Sequence, residues 1–221
     1  MQLTPRRLSA SVPLALLAIC ASACSAVAEK PAPQPATVSQ AAWAKQCKES
    51  DGWDTPGPPF RIWGNSWYVG TCGITAILVT SDYGHILIDG GTPKGGPLIA
   101  KNIEALGFRL RDIKLLLMTH EHVDHVGGLA ELQRLSGAGL LASSRAAPVM
   151  QNGGKALAED PQNGALPGFP PVRVEGFLTD GEAVHIGPLA LTPHVTPGHT
   201  PGALSWQWKS CEGEVCRTIV Y

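Results

Sequence analysis

Beyond its first ten residues the sequence has no run of basic side chains, and 17 Lys and Arg stand against 18 Asp and Glu in 221 residues. The positive footprint that holds nucleic acid or an anionic lipid surface is missing, so neither partner is expected. No segment repeats at a fixed period, which argues against solenoids and propellers. No coiled-coil heptad or exposed apolar stripe asks for a second chain, so a monomer is expected. Close-spaced cysteines are absent, which argues against a thiolate metal site. Histidine is scarce as well, seven in all, yet three of the seven fall within the six positions "HEHVDH", residues 120–125. What is plentiful is apolar material, 44% of the chain, enough for one large core or two small ones.

The N-terminus has Arg6 and Arg7, an apolar stretch from Val12 to Cys20, and a small-residue exit. It reads as a secretory signal, residues 1–28, too short for a stable bilayer anchor. Cleavage fits best after Ala28, with Ala23 as the alternative; lipidation of Cys24 would leave Ala21 where that motif asks for a large aliphatic residue. Residues 29–46, rich in Pro, Ala and Gln, read as a flexible leader, and the folded domain is expected over 47–221. Export to the periplasm is expected, with no membrane contact after cleavage. Four cysteines then remain in an oxidising compartment, and an even number suggests two bridges. Cys211 and Cys216 flank "EGEV" and can face one another across a hairpin, which leaves Cys47 for Cys72.

Along the domain, "FRIWGNSWYVG" and "TAILVTSDYGHILIDGG" read as strand pairs with turns at Gly64-Asn65 and Ser81–Gly84. Ile99, Ile103 and Leu106 fall at i, i+4 and i+7 and predict a helix that Gly107 stops. "DIKLLLM" reads as a strand buried on both faces, and Leu129, Leu132 and Leu135 as the apolar stripe of the next helix. The histidine cluster therefore falls in a strand-to-helix loop. Residues 143–171 are long and poor in periodic signal, either a lid or a tolerated insertion; Gln151 and Asn152 are its candidates for substrate contact. Short strands return after that, and the order of elements is a layered α/β arrangement.

His120 and His122 can turn toward one point, and Asp124 and His125 toward a second. Neutral imidazole and carboxylate are donors that Zn²⁺ accepts, and a water shared by two such ions ionises near neutral pH. A catalytic zinc takes three protein ligands, so another histidine is needed. His199, in the turn "TPGHTPG" after a strand, is the best placed; His194 lies within the strand pattern, and His85 and His185 suit structural roles. The competing reading, a solvated charged loop, does not explain why histidine was used. Glu121 is expected to point away from its neighbours' side. Asp89, ending "HILID", suits an acceptor for a ligand histidine, or a simple turn-former.

"THEHVDH", "GHTPG" and "ILIDGG", in this order and separation, resemble the metallo-β-lactamase superfamily. "WYVGTCGITAILVTSDYGHILIDGG", "NIEALGF", "LAELQRLSGA" and "GHTPGALSWQW" look like its class B β-lactamases of the third subclass, a likeness running from about Trp53 to Tyr221. The resemblance implies a four-layered αββα sandwich with two Zn²⁺ ions at one edge of the paired sheets. His120, His122 and His199 would hold the first, and Asp124 and His125 the second. It implies hydrolysis of β-lactam antibiotics, carbapenems included, by metal-bound hydroxide oriented by Asp124, with no serine nucleophile; "SSR" at 143–145 then carries no catalytic meaning. The chain stops before the family's further histidine and its substrate-binding serines, so the second half of the sandwich is expected to be incomplete, with apolar sheet faces uncovered. Thioesterases of the glyoxalase type and lactonases share the "HxHxDH" core and remain alternatives, as does an inactive zinc-binding form.

Overall fold

The structure, a computed structural model, describes residues 37–221. The expected signal segment, its cleavage positions and Cys24 lie outside the described residues. Among the described residues no helix is long and apolar enough to cross a membrane.

The fold opens with helix α1 (Gln40–Gln46), N-capped by the Ser39 side chain. This corrects the expectation of a flexible leader up to residue 46. Trp43 packs 5.6 Å from Phe60 and 5.1 Å from Tyr68, ring centroid to centroid, and the Gln40 amide donates to the carbonyls of Arg61 and Ile62. One aromatic anchor in a Pro/Ala/Gln-rich stretch orders it, which composition does not register.

Strands β1 (Phe60–Trp63), β2 (Ser66–Tyr68), β3 (Ile77–Val79) and β4 (His85–Ile88) form the expected antiparallel meander. Helix α2 (Gly95–Ala105) follows and ends where Gly107, at φ +83°, turns the chain in the left-handed region. Strand β5 (Ile113–Leu117) then joins β4 in parallel. Its residues are buried except Lys114, at its entry end, so the reading of "DIKLLLM" as an interior strand holds. The short helix α3 (Val123–Val126), helix α4 (Leu129–Ser136), strand β6 (Gly139–Ala142), helix α5 (Ala146–Gln151) and strand β7 (Gly176–Phe177) complete the first sheet, in the order β1 to β7. Helix α5 corrects the reading of residues 143–171 as one irregular loop: Ala146, Ala147, Val149 and Met150 are buried, and Pro148 sits in its first turn, where a missing N–H costs nothing.

Strands β8 (Val184–Ile186), β9 (Leu189–Val195), β10 (Leu204–Glu212) and β11 (Val215–Val220) make a second, antiparallel sheet in the order β11-β10-β9-β8. Along β10 the side chains alternate, Leu204, Trp206, Trp208 and Ser210 inward, Gln207 and Lys209 outward. Leu204, Trp206 and Trp208 share one continuous core with β3–β5, α2 and α4. Helices, first sheet and second sheet thus give three layers of the expected four-layer α/β sandwich. No helix follows α5 among the described residues. The outer face of the second sheet is more polar than expected, with Thr192, His194, Gln207 and Lys209 on it beside the exposed Val220; Val195 and Val215, also exposed, pair with Leu204 and Glu212 on the opposite face.

Two contacts lock the sheets in register where it matters for the site. The Trp206 indole donates to the Met118 carbonyl at 2.9 Å, and the Leu204 amide to the Thr119 carbonyl at 2.7 Å. Trp206 is fully buried, so this docking is backed by an anchor whose truncation costs about 3–5 kcal/mol. Both expected disulfides form, Cys47–Cys72 and Cys211–Cys216, the second directly across the β10–β11 hairpin. Cys47–Cys72 closes a span of 25 residues, so its entropic effect is the larger. Replacing Cys47 and Cys72 together by Ser is expected to cost about 3 kcal/mol, read from the urea midpoint.

Candidate metal centre

Strand β5 delivers Met118 and Thr119 to the end of the sheet, and the chain leaves it still extended. His122 has φ −75° and ψ 153°. In an extended run side chains alternate, so His120 and His122 share one side and Glu121 takes the other. Glu121 does point away, but into the protein rather than to solvent. Its carboxylate accepts from Thr200 Oγ1 at 2.7 Å and from the Gly202 amide at 3.0 Å, and is buried. That contact pins the β9–β10 turn carrying His199 against the histidine loop. Gly202 is required there, since a Cβ would stand 2.6 Å from the Ala146 amide nitrogen and 2.7 Å from Glu121 Oε2. Ser143 seals the same junction: its buried hydroxyl donates to the Gly202 carbonyl at 2.7 Å and accepts from the Ala146 amide.

His120, His122 and His199, distant in sequence, come together here. Their ligand-type nitrogens lie within 4.8 Å of one another, and His122 Nδ1 is 3.2 Å from His199 Nε2. One turn on, α3 sets Asp124 and His125 beside His120, again with donor atoms within 4.8 Å, and Asp124 Oδ2 is 3.5 Å from His125 Nε2. His194 stays in β9 opposite Ser205, His185 is exposed on β8, and His85 packs on Phe108 at the entry end of β4. None of these three joins the cluster among the described residues.

Asp89 governs which ring nitrogens are free. It is fully buried, and its carboxylate accepts from the Thr119 amide (2.7 Å), Thr119 Oγ1 (2.7 Å), His125 Nδ1 (2.8 Å) and the Tyr221 hydroxyl (2.9 Å). Because the Thr119 hydroxyl gives its one proton to Asp89, it can only accept from His120 Nδ1, 3.1 Å away. Both His120 and His125 therefore carry their proton on Nδ1 and turn Nε2 toward the cluster. Asp89 is the one described non-glycine residue with positive φ, 65°, a conformation costing about 1 kcal/mol or more that four donors hold in place.

The electrostatics agree. Burial first, then the neighbouring imidazoles of His125, His122 and His199, push the His120 pKa down to about 2, so its ring is neutral. For His125 burial acts downward, but the charge and hydrogen bond of Asp89, with Asp124 behind, outweigh it and raise the pKa. Burial and Asp89 drive the Tyr221 hydroxyl well above the ordinary phenol range, so it stays a donor. His120 Nε2 is buried with no hydrogen-bond partner among the described residues. An unprotonated, buried nitrogen within 4.8 Å of donor nitrogens on two other imidazoles fits a metal ion.

A model of the metallo-beta-lactamase superfamily matches residues 69–212. This chain belongs to the metallo-β-lactamase superfamily. The solved structure of MIM-2 metallo-beta-lactamase is 56% identical with a TM-score of 0.77, covering 82% of this chain and 66% of that one. MEM-A1, a subclass B3 metallo-beta-lactamase from a soil metagenome library, is 48% identical with a TM-score of 0.74, over 77% of this chain and 64% of that one. The hydroxyacylglutathione hydrolase of Bradyrhizobium sp. (strain ORS 278) is 29% identical over 136 residues, 58% of this chain and 44% of that one. The chain thus spans about two thirds of these β-lactamase structures and under half of that hydrolase.

Within this metallo-β-lactamase domain, sequence reasoning missed Asp160, Thr119 and Tyr221. Asp160 Oδ2 lies 3.1 Å from His122 Nε2, with both side chains buried. Nothing periodic marks Asp160; the only available signal was that a ligand histidine needs an acceptor on its other nitrogen. Gln151 and Asn152 are exposed. The later part of their segment, including Ala156, Asn163, Leu166 and Phe169, walls a cavity of about 180 Å³ beside His122, and neither Gln151 nor Asn152 lines it.

Proposed function

We propose that this domain belongs to a zinc-dependent hydrolase that opens the β-lactam amide bond, carbapenems included, and so confers resistance to these antibiotics. The observation that carries the reading is the arrival of His199 beside His120 and His122 with the His120 Nε2 lone pair unpartnered. His120 Nε2, His122 Nδ1 and His199 Nε2 would hold one zinc, and Asp124 with His125 Nε2 a second. Zinc bound there supplies a water of pKa near 7 and polarises the substrate carbonyl. Asp124 orients the attacking water by accepting its hydrogen bond. Asp89 keeps His125 and, through Thr119, His120 turned inward, and Glu121 holds the His199 turn in place. Ser143, buried and committed to Gly202 and Ala146, is no nucleophile. The choice of β-lactam is supported by the 48–56% identity to MIM-2 and MEM-A1. Export to the periplasm, resting on the N-terminal pattern and two disulfides, and a monomeric state, resting on the lack of a heptad or apolar stripe in the sequence, complete the reading.

The second reading, thioester hydrolysis, draws on the likeness to hydroxyacylglutathione hydrolases. Purified protein is expected to hydrolyse nitrocefin and a carbapenem, to lose the activity to a chelator, and to regain it with added zinc. Turnover of glutathione thioesters with none of either β-lactam would overturn the choice.

A further inference from the structure

We propose that Asp160 is a positioning residue for the metal centre: its carboxylate takes the Nε2 proton of His122, leaves Nδ1 for the metal, and latches the 153–169 loop to the site. The inference rests on the reading of His122 as a zinc ligand.

The geometry is that of a built contact. The His122 and Asp160 side chains are 5% and 2% exposed, and Nε2 stands 3.1 and 3.4 Å from the two carboxylate oxygens. A carboxylate this deeply buried needs donors. Among the described residues Asp160 has two, the Gln162 amide at 2.7 Å and the His122 ring. The ring must therefore carry its proton on Nε2, and Nδ1 becomes a lone pair facing His199 Nε2 at 3.2 Å. His120 and His125 reach the same condition through Asp89, from the body of the sheet. Of these three, His122 takes its acceptor from a loop.

That loop is built around Asp160. Its base closes where the Phe169 amide donates to the Gly153 carbonyl at 3.0 Å, with Phe169 buried against Gly154. Its tip is a turn in which the Asp160 amide donates to Leu157 and the Asp160 carbonyl accepts from Asn163, both at 3.0 Å. Between base and tip lies the cavity beside His122, walled on the loop side by Ala156, Asn163 and Leu166. Since one carboxylate serves both the turn and the ring, loop order and metal affinity are linked, and the linkage is reciprocal.

Two measurements on the full chain test this: zinc affinity by competition with a chromogenic chelator, and protease cleavage within 153–169 with and without zinc. Wild-type protein is expected to bind zinc and to be protected in the loop by it. Asp160→Ala is expected to lose about 10–100-fold in affinity at the tighter site and the zinc-dependent protection. Asp160→Asn, which keeps an acceptor oxygen, should fall between the two, and it decides the matter if the alanine variant does not fold. Glu159→Gln breaks only the exposed pair with Arg145 in the same loop and should match wild type. Affinity of Asp160→Ala within about twofold of wild type, or an equal loss in Glu159→Gln, overturns the proposal. A wild-type chain that binds no zinc overturns the reading of the centre itself.

Discussion

His122→Ala is expected to strip zinc from the three-histidine site and to lower kcat/KM for nitrocefin at least about 10³-fold, since a catalytic zinc supplies several kcal/mol and each 1.36 is a factor of ten. The variant removes a ligand nitrogen and at the same time deprives the buried Asp160 carboxylate of its ring donor. Metal content by elemental analysis and initial rates in zinc-supplemented buffer read the two effects together. The contrasting variant is His194→Ala. That ring also follows the second sheet toward the site, but it sits in β9 against Ser205 and outside the cluster, so metal content and rate should hold. Full activity in His122→Ala, or loss in His194→Ala equal to it, would place the chemistry elsewhere.

Asp89→Ala is expected to be the most destabilising single change in the domain, by about 5 kcal/mol, because hydrogen bonds to a charged buried acceptor contribute about 1.5–3 kcal/mol each. Three groups lose that acceptor: Thr119, by both amide and hydroxyl, His125 and Tyr221. Alanine lacks the short polar side chain that helps aspartate adopt φ 65°, so the backbone strain there rises further. Against a total stability of about 5–15 kcal/mol for a domain, much of the fold's margin disappears. Urea titration reads the loss as a lower midpoint at unchanged slope. Asp89→Asn keeps the shape and one acceptor oxygen but turns an NH₂ toward donors, and should cost about 2 kcal/mol. An Asp89→Ala midpoint indistinguishable from wild type would mean that the four contacts contribute nothing net.

Much of the framework was legible because its signals are local. The 3.6-residue spacing of Ile99, Ile103 and Leu106, the run Ile113–Leu117, and the hairpin between Cys211 and Cys216 each depend on neighbours a few residues away. The paired histidines and the Gly-Pro turn around His199 were legible for the same reason, as residue types whose spacing suits ligands. Where local composition misled, a single distant contact was responsible. Trp43 orders α1 by packing on Phe60 and Tyr68, 17 and 25 residues further along, and α5 is held by buried apolar side chains in a stretch that reads as turn-rich.

The acceptors around the metal centre belong to the other category. Any of the 18 acidic residues could have served His122, and the chain itself says nothing of which one would. Residue types and their spacing along the chain determined what kinds of ligand were available and which strands would lie in the interior. Only the docking of β10 onto the end of β5, through Trp206 and Leu204, brought His199 to His120 and His122, and only the closed 153–169 loop brought Asp160 to His122. Those meetings are set by packing between segments 77 and 38 residues apart, and the burial that holds them is a property of the assembled core that no short window of sequence contains.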